Sequence, residues 1–253
     1  MSNTPTDEPF FRLNGVTKTL GQNEVLRGVT LEVPTGKTTV LLGGSGTGKS
    51  VLLKHLNGLM APDSGSIRVQ GSEITTLSER QLVPFRRRIG ILFQSGALFD
   101  SMTVGENIAF PLREAGLRNR SEIASAVADV LEEVGLPGEE SKMPSDLSGG
   151  MRKRVALARA MVTQPLCLLC DEPTAGLDPL LSETISLLIR RTSVNHHLTS
   201  VVVTHDTESM RLIADNVIFL NQGIVLYSGS LSGLESSENE TIRRFLGAKG
   251  GGG

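Results

Sequence analysis

Four short apolar runs stand out along the chain: Thr38–Leu42, Ile89–Phe93, Leu166–Cys170 and Ser200–Val203. Each ends in polar or glycine-rich residues. An unbroken apolar run of strand length predicts a strand buried on both faces, as in a parallel sheet. Helical periodicity fills the intervals. Leu52, Leu56 and Leu59 recur at i, i+4 and i+7. Ile123, Val127, Val130, Leu131 and Val134 form a second stripe, with Ser121 as its N-cap and Gly135 as its stop. Met151, Val155, Ala158 and Val162 form a third, just after Gly150. Strands alternating with helices predict an α/β architecture.

Between Gln94 and Val162 no strand-like run occurs. Residues 94–162 are therefore expected to form a helical subdomain inserted into a core of residues 10–93 and 163–247. The segment up to about residue 35 and the stretch Asn216–Tyr227 read as more β-rich. The last six positions, 248–253, include four consecutive glycines and are expected to be a flexible tail. No internal repeat is present.

Composition narrows the function classes. With 39% hydrophobic and 21% charged residues among 253, the chain has the apolar material for a folded core and is not mainly disordered. Lys and Arg (25) against Asp and Glu (27) leave a formal charge of −2, so no nucleic acid is expected as a partner held by whole-protein charge. Two cysteines do not make a disulfide scaffold. A membrane helix needs about 18 apolar residues in succession, and the runs here are far shorter. The opening MSNTPTDEPF carries neither a basic nor an apolar leader segment. A soluble intracellular protein is expected, one that reaches any membrane through a partner.

The first apolar run leads into Gly43-Gly44-Ser45-Gly46-Thr47-Gly48-Lys49-Ser50, which fits G-x-x-x-x-G-K-[ST] at every fixed position. Glycines let successive N–H groups curl around phosphate oxygens, and the helix that follows points its positive end at the same anion. In this pattern Lys49 reaches the β- and γ-phosphates and the Ser50 hydroxyl ligates Mg²⁺. Asp171-Glu172 closes the run Leu166–Cys170. A carboxylate there suits Mg²⁺ coordination through water, a role assigned to Asp171, and Glu172 is placed to polarise an attacking water. Gly43, Gln94, Asp171 and His205 each fall at or just past the carboxyl end of a predicted strand, the edge where open α/β sheets bind ligands. Ser148-Gly149-Gly150 opens another predicted helix and offers a second phosphate cradle.

The order of phosphate loop, Gln94, LSGGM (147–151), LCLLCDEP (166–173), Ala175-Gly176-Leu177-Asp178 and His205 resembles the ATP-binding-cassette (ABC) transporter ATPases over residues 10–247. The resemblance implies an α/β P-loop nucleotide-hydrolase core with a mostly parallel sheet, an N-terminal β-rich region and the inserted helical subdomain. It implies ATP and Mg²⁺ as cofactors, with Gln94 sensing the γ-phosphate and Mg²⁺ and touching the transport partner. His205 would steady the γ-phosphate and the attacking water. Ser148 and Gly150, with Gly149 between them, would close on the ATP of a second copy, and Asp178 would lie at the contact of a head-to-tail dimer holding two ATP molecules. Two positions depart from the family pattern. Leu20 stands where an aromatic ring commonly meets adenine, which leaves aliphatic contact or a ring such as Phe10 or Phe11 for that role. Met151 stands where the signature has Gln.

Within the family, Phe93–Glu114, Met143–Asp146 and Met151 resemble the ATPases of bacterial lipid transporters of the Mla and Mce type. That narrower resemblance implies an integral membrane permease and an MCE-domain lipid-binding protein as partners, with phospholipid or similar cargo. It also implies a place on the cytoplasmic face of the bacterial inner membrane, held there through the permease. Leu98, Phe99, Met102, Ile108 and Phe110 offer apolar contacts for a docking helix. Two rivals are a transporter ATPase for amino acids, metal chelates or lipoproteins, and a non-transport cassette protein. The single cassette and the lack of sustained heptads disfavour the second. Cys167 and Cys170 read as buried structural thiols, because positions i and i+3 of a strand face opposite sides. The runs Arg86-Arg87-Arg88 and Arg152-Lys153-Arg154 read as solvated faces. His55 reads as a packing residue and His196-His197 as a helix-end pair.

Overall fold

The computed structural model describes residues 8–247. The glycine-rich tail, 248–253, and the first seven positions of the opening segment lie outside them. In chain order the strands are β1 (Phe11–Leu20), β2 (Asn23–Val33), β3 (Thr38–Leu42), β4 (Ser64–Val69), β5 (Ser72–Glu73), β6 (Ile89–Leu92), β7 (Cys167–Asp171), β8 (Thr199–Thr204), β9 (Asn216–Asn221) and β10 (Ile224–Gly229). The helices are α1 (Lys49–Leu56), α2 (Glu79–Arg86), α3 (Val104–Glu114), α4 (Arg120–Glu133), α5 (Gly149–Met161), α6 (Pro179–Asn195), α7 (Thr207–Ile213), α8 (Leu231–Glu235) and α9 (Glu240–Gly247).

The four apolar runs become β3, β6, β7 and β8, adjoining strands of a six-stranded sheet ordered β10-β9-β3-β8-β7-β6. Strands β9, β3, β8, β7 and β6 are parallel, and β10 closes the edge antiparallel to β9. Both faces are covered, which is why these strands read as continuous apolar runs. One face, with Leu41, Leu169, Val201 and Val203, packs on α1 and on a second, antiparallel sheet ordered β2-β1-β4-β5. The other, with Val40, Leu42, Leu168, Val202 and Phe219, packs on α3, α4, α5 and α6. Cys167 lies in the first cluster and Cys170 in the second, so the two thiols point to opposite sides of β7. Burial raises the pKa of both.

Helices α3, α4 and α5 occupy the stretch expected to be helical. The apolar side of α5 (Val155, Ala156, Leu157) belongs to the same cluster as the sheet residues. A Cβ at Gly90 of β6 would collide with the carbonyl of Ala160, so α5 lies directly on that strand. At the other edge of the core, Asp215 accepts hydrogen bonds from the Thr38 N–H at 2.9 Å and from Arg190 of α6 at 2.8 Å, tying α6 to the start of β3.

Several local expectations are corrected. Strands β4 and β5 have no counterpart in the pattern reading. Helix α1 stops at Leu56; Gly58, at φ 68°, turns the chain away, and Leu59 is exposed rather than part of the stripe. The N-cap of α4 is Asn119, whose side chain accepts from the N–H groups of Ser121 and Glu122, so Ser121 lies inside the helix. Gly135, at φ 72°, does end the chain's helical run there.

Candidate nucleotide site

The phosphate loop follows β3 directly. A Cβ at Gly43 would strike the carbonyl of Leu220, and one at Gly48 would lie 2.9 Å from the Val25 carbonyl oxygen. Gly46 and Gly48, at φ 73° and 104°, let the loop double back into the N-terminus of α1. Lys49 is buried and folds into the loop, donating to the carbonyls of Gly43 (2.9 Å) and Gly44 (2.7 Å). Thr47 donates to the Gly44 carbonyl at 3.0 Å. The exposed Ser45 sits at the loop's tip.

Parallel register through β8 brings the acidic pair level with this loop. Leu42 pairs with Thr204 of β8, and Asp171 at the end of β7 pairs with Val203. Ser50 Oγ donates to Asp171 Oδ1 at 3.0 Å. Burial raises the Asp171 pKa; the Ser50 hydrogen bond opposes this and the neighbouring Glu172 charge adds to it. A hydroxyl and a carboxylate held this close, with a half-buried negative charge, form a hard oxygen donor set that fits Mg²⁺.

Glu172 adopts φ 46°, a left-handed conformation costing a non-glycine residue about 1–2 kcal/mol. Its N–H donates to the Val203 carbonyl at 2.9 Å. The turn aims its carboxylate back over the sheet edge, where both oxygens lie 2.9–3.0 Å from His205 Nδ1 and one lies 3.9 Å from Lys49 Nζ. A carboxylate only accepts, so Nδ1 carries the proton in this contact. The Glu172 side chain is 13% exposed and His205 53%, so the carboxylate is shielded and the imidazole is open to solvent.

A cleft of about 640 Å³ joins Gly44, Ser45, Gly46, Gly48, Lys49, Ser50, Gln94, Glu172 and His205, with Val25, Val51 and Phe245 completing its walls. Val25 and Phe245 carried no sequence signal; Phe245 arrives on α9, and its ring meets Phe219 at 5.1 Å. Leu20 lies at the exposed tip of β1, outside the cleft lining. Phe10 and Phe11 are buried edge to face in the core and cannot cover a base from there.

Ser148, Gly149, Gly150 and Asp178 form a separate group. Ser148 Oγ accepts from the Met151 N–H at 3.2 Å and caps α5, and Asp178 caps α6 through the Leu181 N–H at 2.9 Å. The two helix starts touch: the Cβ positions of Gly149 and Gly150 would face Leu177 and Leu181 at 3.5 and 3.4 Å. None of the four lines the cleft.

On α5 the solvated-face reading holds for the exposed Arg152 and is corrected at Lys153. Lys153 is buried and donates to the Gln94 carbonyl, Arg152 donates to the Leu147 carbonyl at 2.7 Å, and Arg154 is half-buried. Among the candidate docking residues, Ile108 is wholly buried and unavailable, whereas Phe99 is exposed with its ring 5.0 Å from Phe110. His55 packs in α1, donating Nδ1–H to the Val51 carbonyl at 2.7 Å, and His196 ends α6 against the Glu133 carboxylate. A second cavity, about 880 Å³, opens between α3 and α4 and contains none of the phosphate-loop groups.

Comparison with known proteins matches residues 26–175 to the family model described as ABC transporter. The chain is 44% identical over 234 residues to the probable ribonucleotide transport ATP-binding protein mkl of Mycobacterium leprae, covering 92% of this chain and 67% of that protein. It is 41% identical over 224 residues to the methionine import ATP-binding protein MetN of Brucella abortus, covering 88% and 60%. It thus spans about two thirds or less of the length of these relatives. Among solved structures, the dimeric post-hydrolysis state of the ATP-binding cassette MJ0796 bound to ADP and Pi matches with TM-score 0.80 and 31% identity, over 87% of this chain and 98% of that one. CbiO1 of Clostridium perfringens, part of the cbiONQ transporter complex, matches with TM-score 0.84 and 28% identity, over 96% of each.

Proposed function

The chain belongs to the family of ABC transporter ATPases, and from that premise we propose that it binds Mg-ATP in the cleft and hydrolyses it to drive a membrane transporter. The observation that carries this reading is the convergence of Lys49, the Ser50–Asp171 pair, the Glu172–His205 pair and Gln94 on one carboxyl edge of the parallel sheet. Gly43 to Ser50 cradle the β- and γ-phosphates, with Lys49 turning from the loop carbonyls to the phosphate oxygens. Ser50, Asp171 and Gln94 would hold Mg²⁺, which would neutralise charge on the phosphates. Glu172 accepts a proton from the attacking water, and His205 holds the Glu172 carboxylate and faces the γ-phosphate side.

The Ser148–Gly150 and Asp178 group lies outside the cleft lining, so a second copy in head-to-tail arrangement supplies it to complete the site. The dimeric form of MJ0796 supports that arrangement. No described helix is long and apolar enough to cross a membrane. The mechanical output goes to an integral membrane permease at the cytoplasmic face of the bacterial inner membrane, a reading supported by the transport ATP-binding proteins among the relatives. Its contact is the exposed Phe99 and its neighbours after Gln94.

For cargo we infer phospholipid or a similar hydrophobic molecule, with an MCE-domain protein as third partner. Support comes from the stretches Phe93–Glu114 and Met143–Asp146 and from Met151. The relatives' names, ribonucleotide transport and methionine import, favour the rival of a different cargo. Purifying the complex from its native membrane and extracting what it holds decides between them. Recovery of a permease, an MCE-domain protein and bound lipid supports the lipid reading. A permease with a binding protein for a water-soluble solute overturns the cargo and leaves the ATPase standing.

A further inference from the structure

Helix α5 carries two cations that turn inward onto the segment after β6. Lys153 is only 6% exposed, and its ammonium donates to the main-chain carbonyl of Gln94. One face further along, Arg159 donates to the carbonyls of Gly96 at 2.8 Å and Ala97 at 2.7 Å. Ala97 is itself left-handed, at φ 47°. The segment 94–97 is thus pinned through its backbone by one helix, and that helix begins at Ser148–Gly150.

Stability does not explain Lys153. Removing an ammonium from water costs several kcal/mol, and one neutral carbonyl compensates poorly; an apolar side chain of similar volume generally does as well or better. Among the described residues no carboxylate lies within ion-pair distance of it. Burial lowers its pKa, and the Glu172 carboxylate acts in the opposite direction. From Gly150 to Lys153 is three residues, about 4.5 Å of continuous helix with no hinge.

Resting on the reading of Gln94 and Glu172 given above, we propose that Lys153 is a positioning residue for ATP hydrolysis. It fixes Gln94 from the first turns of α5, so the γ-phosphate side of the cleft moves with the Ser148–Gly150 end of the same helix. A substitution there disturbs the transition-state geometry more than the binding of the nucleotide ground state, which the phosphate loop holds.

The test compares Lys153→Met and Lys153→Arg in the full chain with Mg-ATP, alongside Glu172→Gln. Lys153→Met is expected to lower kcat at least tenfold with KM for ATP within twofold and no fall in melting temperature. Lys153→Arg, which still donates to the Gln94 carbonyl, is expected to recover most of kcat. If Lys153→Met does not fold, Lys153→Gln against Lys153→Arg makes the same comparison. Wild-type kcat without the ammonium, or an arginine variant no better than the methionine one, overturns the proposal. If Glu172→Gln abolishes turnover in that same case, the nucleotide reading stands and only the role of Lys153 falls. Wild-type turnover in Glu172→Gln would instead remove the base assignment on which both rest.

Discussion

Glu172→Gln tests the chemistry of the cleft most directly, because the substitution changes charge and basicity while keeping shape. Its backbone strain and its hydrogen bond to the Val203 carbonyl are unaffected by the side-chain change. The His205 Nδ1–H donor, now 2.9 Å from a carboxylate oxygen, can donate to the amide oxygen of Gln instead. A positioned general base contributes about 10²–10⁴-fold, so kcat should fall by that factor, about 3–5 kcal/mol of transition-state stabilisation. Binding should move the other way. Glu172 lies 3.9 Å from Lys49 Nζ, and unit charges at about 4 Å attract by about 4 kcal/mol at an effective dielectric near 20, an upper bound for a site open to solvent on one side. Removing the carboxylate releases Lys49 toward phosphate and removes a negative charge facing the γ-phosphate. ATP affinity should therefore hold or tighten.

Fluorescent-nucleotide titration gives Kd, and phosphate release under saturating Mg-ATP gives kcat. Wild-type turnover in Glu172→Gln would refute the base assignment. A fall in kcat with an equal loss of affinity would show that the carboxylate supports the fold of the loop rather than the reaction. The His205 contact sharpens the test through a double-mutant cycle. If His205 acts by holding Glu172, then His205→Ala and Glu172→Gln are sub-additive by about 1 kcal/mol or more. Strict additivity would mean that the imidazole works on the phosphate alone.

Lys49→Ala should weaken ATP binding itself at least tenfold, because the ammonium that reaches the phosphates is gone; the same titration reads it, and unchanged affinity would count against the phosphate-loop reading. Asp215→Asn should cost about 2 kcal/mol, the scale of charge-assisted hydrogen bonds, measured by urea unfolding. Burial alone would raise Asp215, but the Arg190 and Thr38 hydrogen bonds and the Arg190 charge outweigh it and hold its pKa below the ordinary carboxylate value. A depressed folded-state pKa gives stability that is full above the unfolded-state pKa and lost as pH falls through the folded one. The wild-type advantage over Asp215→Asn should thus be constant above about pH 4 and shrink below it; an equal gap at all pH values would refute the charge term.

The central strands were readable from sequence because both of their faces are buried, so no charged residue interrupts Thr38–Leu42 or Leu168–Cys170. The phosphate loop was readable because glycine spacing is a backbone requirement. Strand β4 was not, since only Ile67 and Val69 of Ser64–Val69 are buried and the remainder looks like loop. The cap of α4 was misplaced by two residues because Asn119 and Ser121 are both cap formers, and only the geometry showed which one accepts from the helix N–H groups. Lys153 was misread for a more general reason. Successive helix residues point about 100° apart, so a basic triplet cannot lie on one face. Arg152 turns to the Leu147 carbonyl, Lys153 to Gln94 and Arg154 toward Val134, and only one of the three is fully buried.

That geometry divides the cleft into parts of different origin. The phosphate loop, Asp171-Glu172 and His205 emerge from β3, β7 and β8, which pair residue by residue in parallel register; a slip of one position would exchange the side chains packed on the two faces and shift the strand ends that carry these residues. Their mutual distances are therefore set by the sheet. Gln94 follows β6, the edge strand, and its backbone is bonded to α5. One wall of the cleft is thus built into the core, and the other answers to the helix that carries Ser148–Gly150. On the proposal above, a displacement at that helix start reaches the site at Gln94. By the same proposal, α5 reaches the segment 94–97 through the Lys153 contact with Gln94 and through the Arg159 contacts with Gly96 and Ala97, and the arginine and methionine variants of Lys153 weigh the first of these routes.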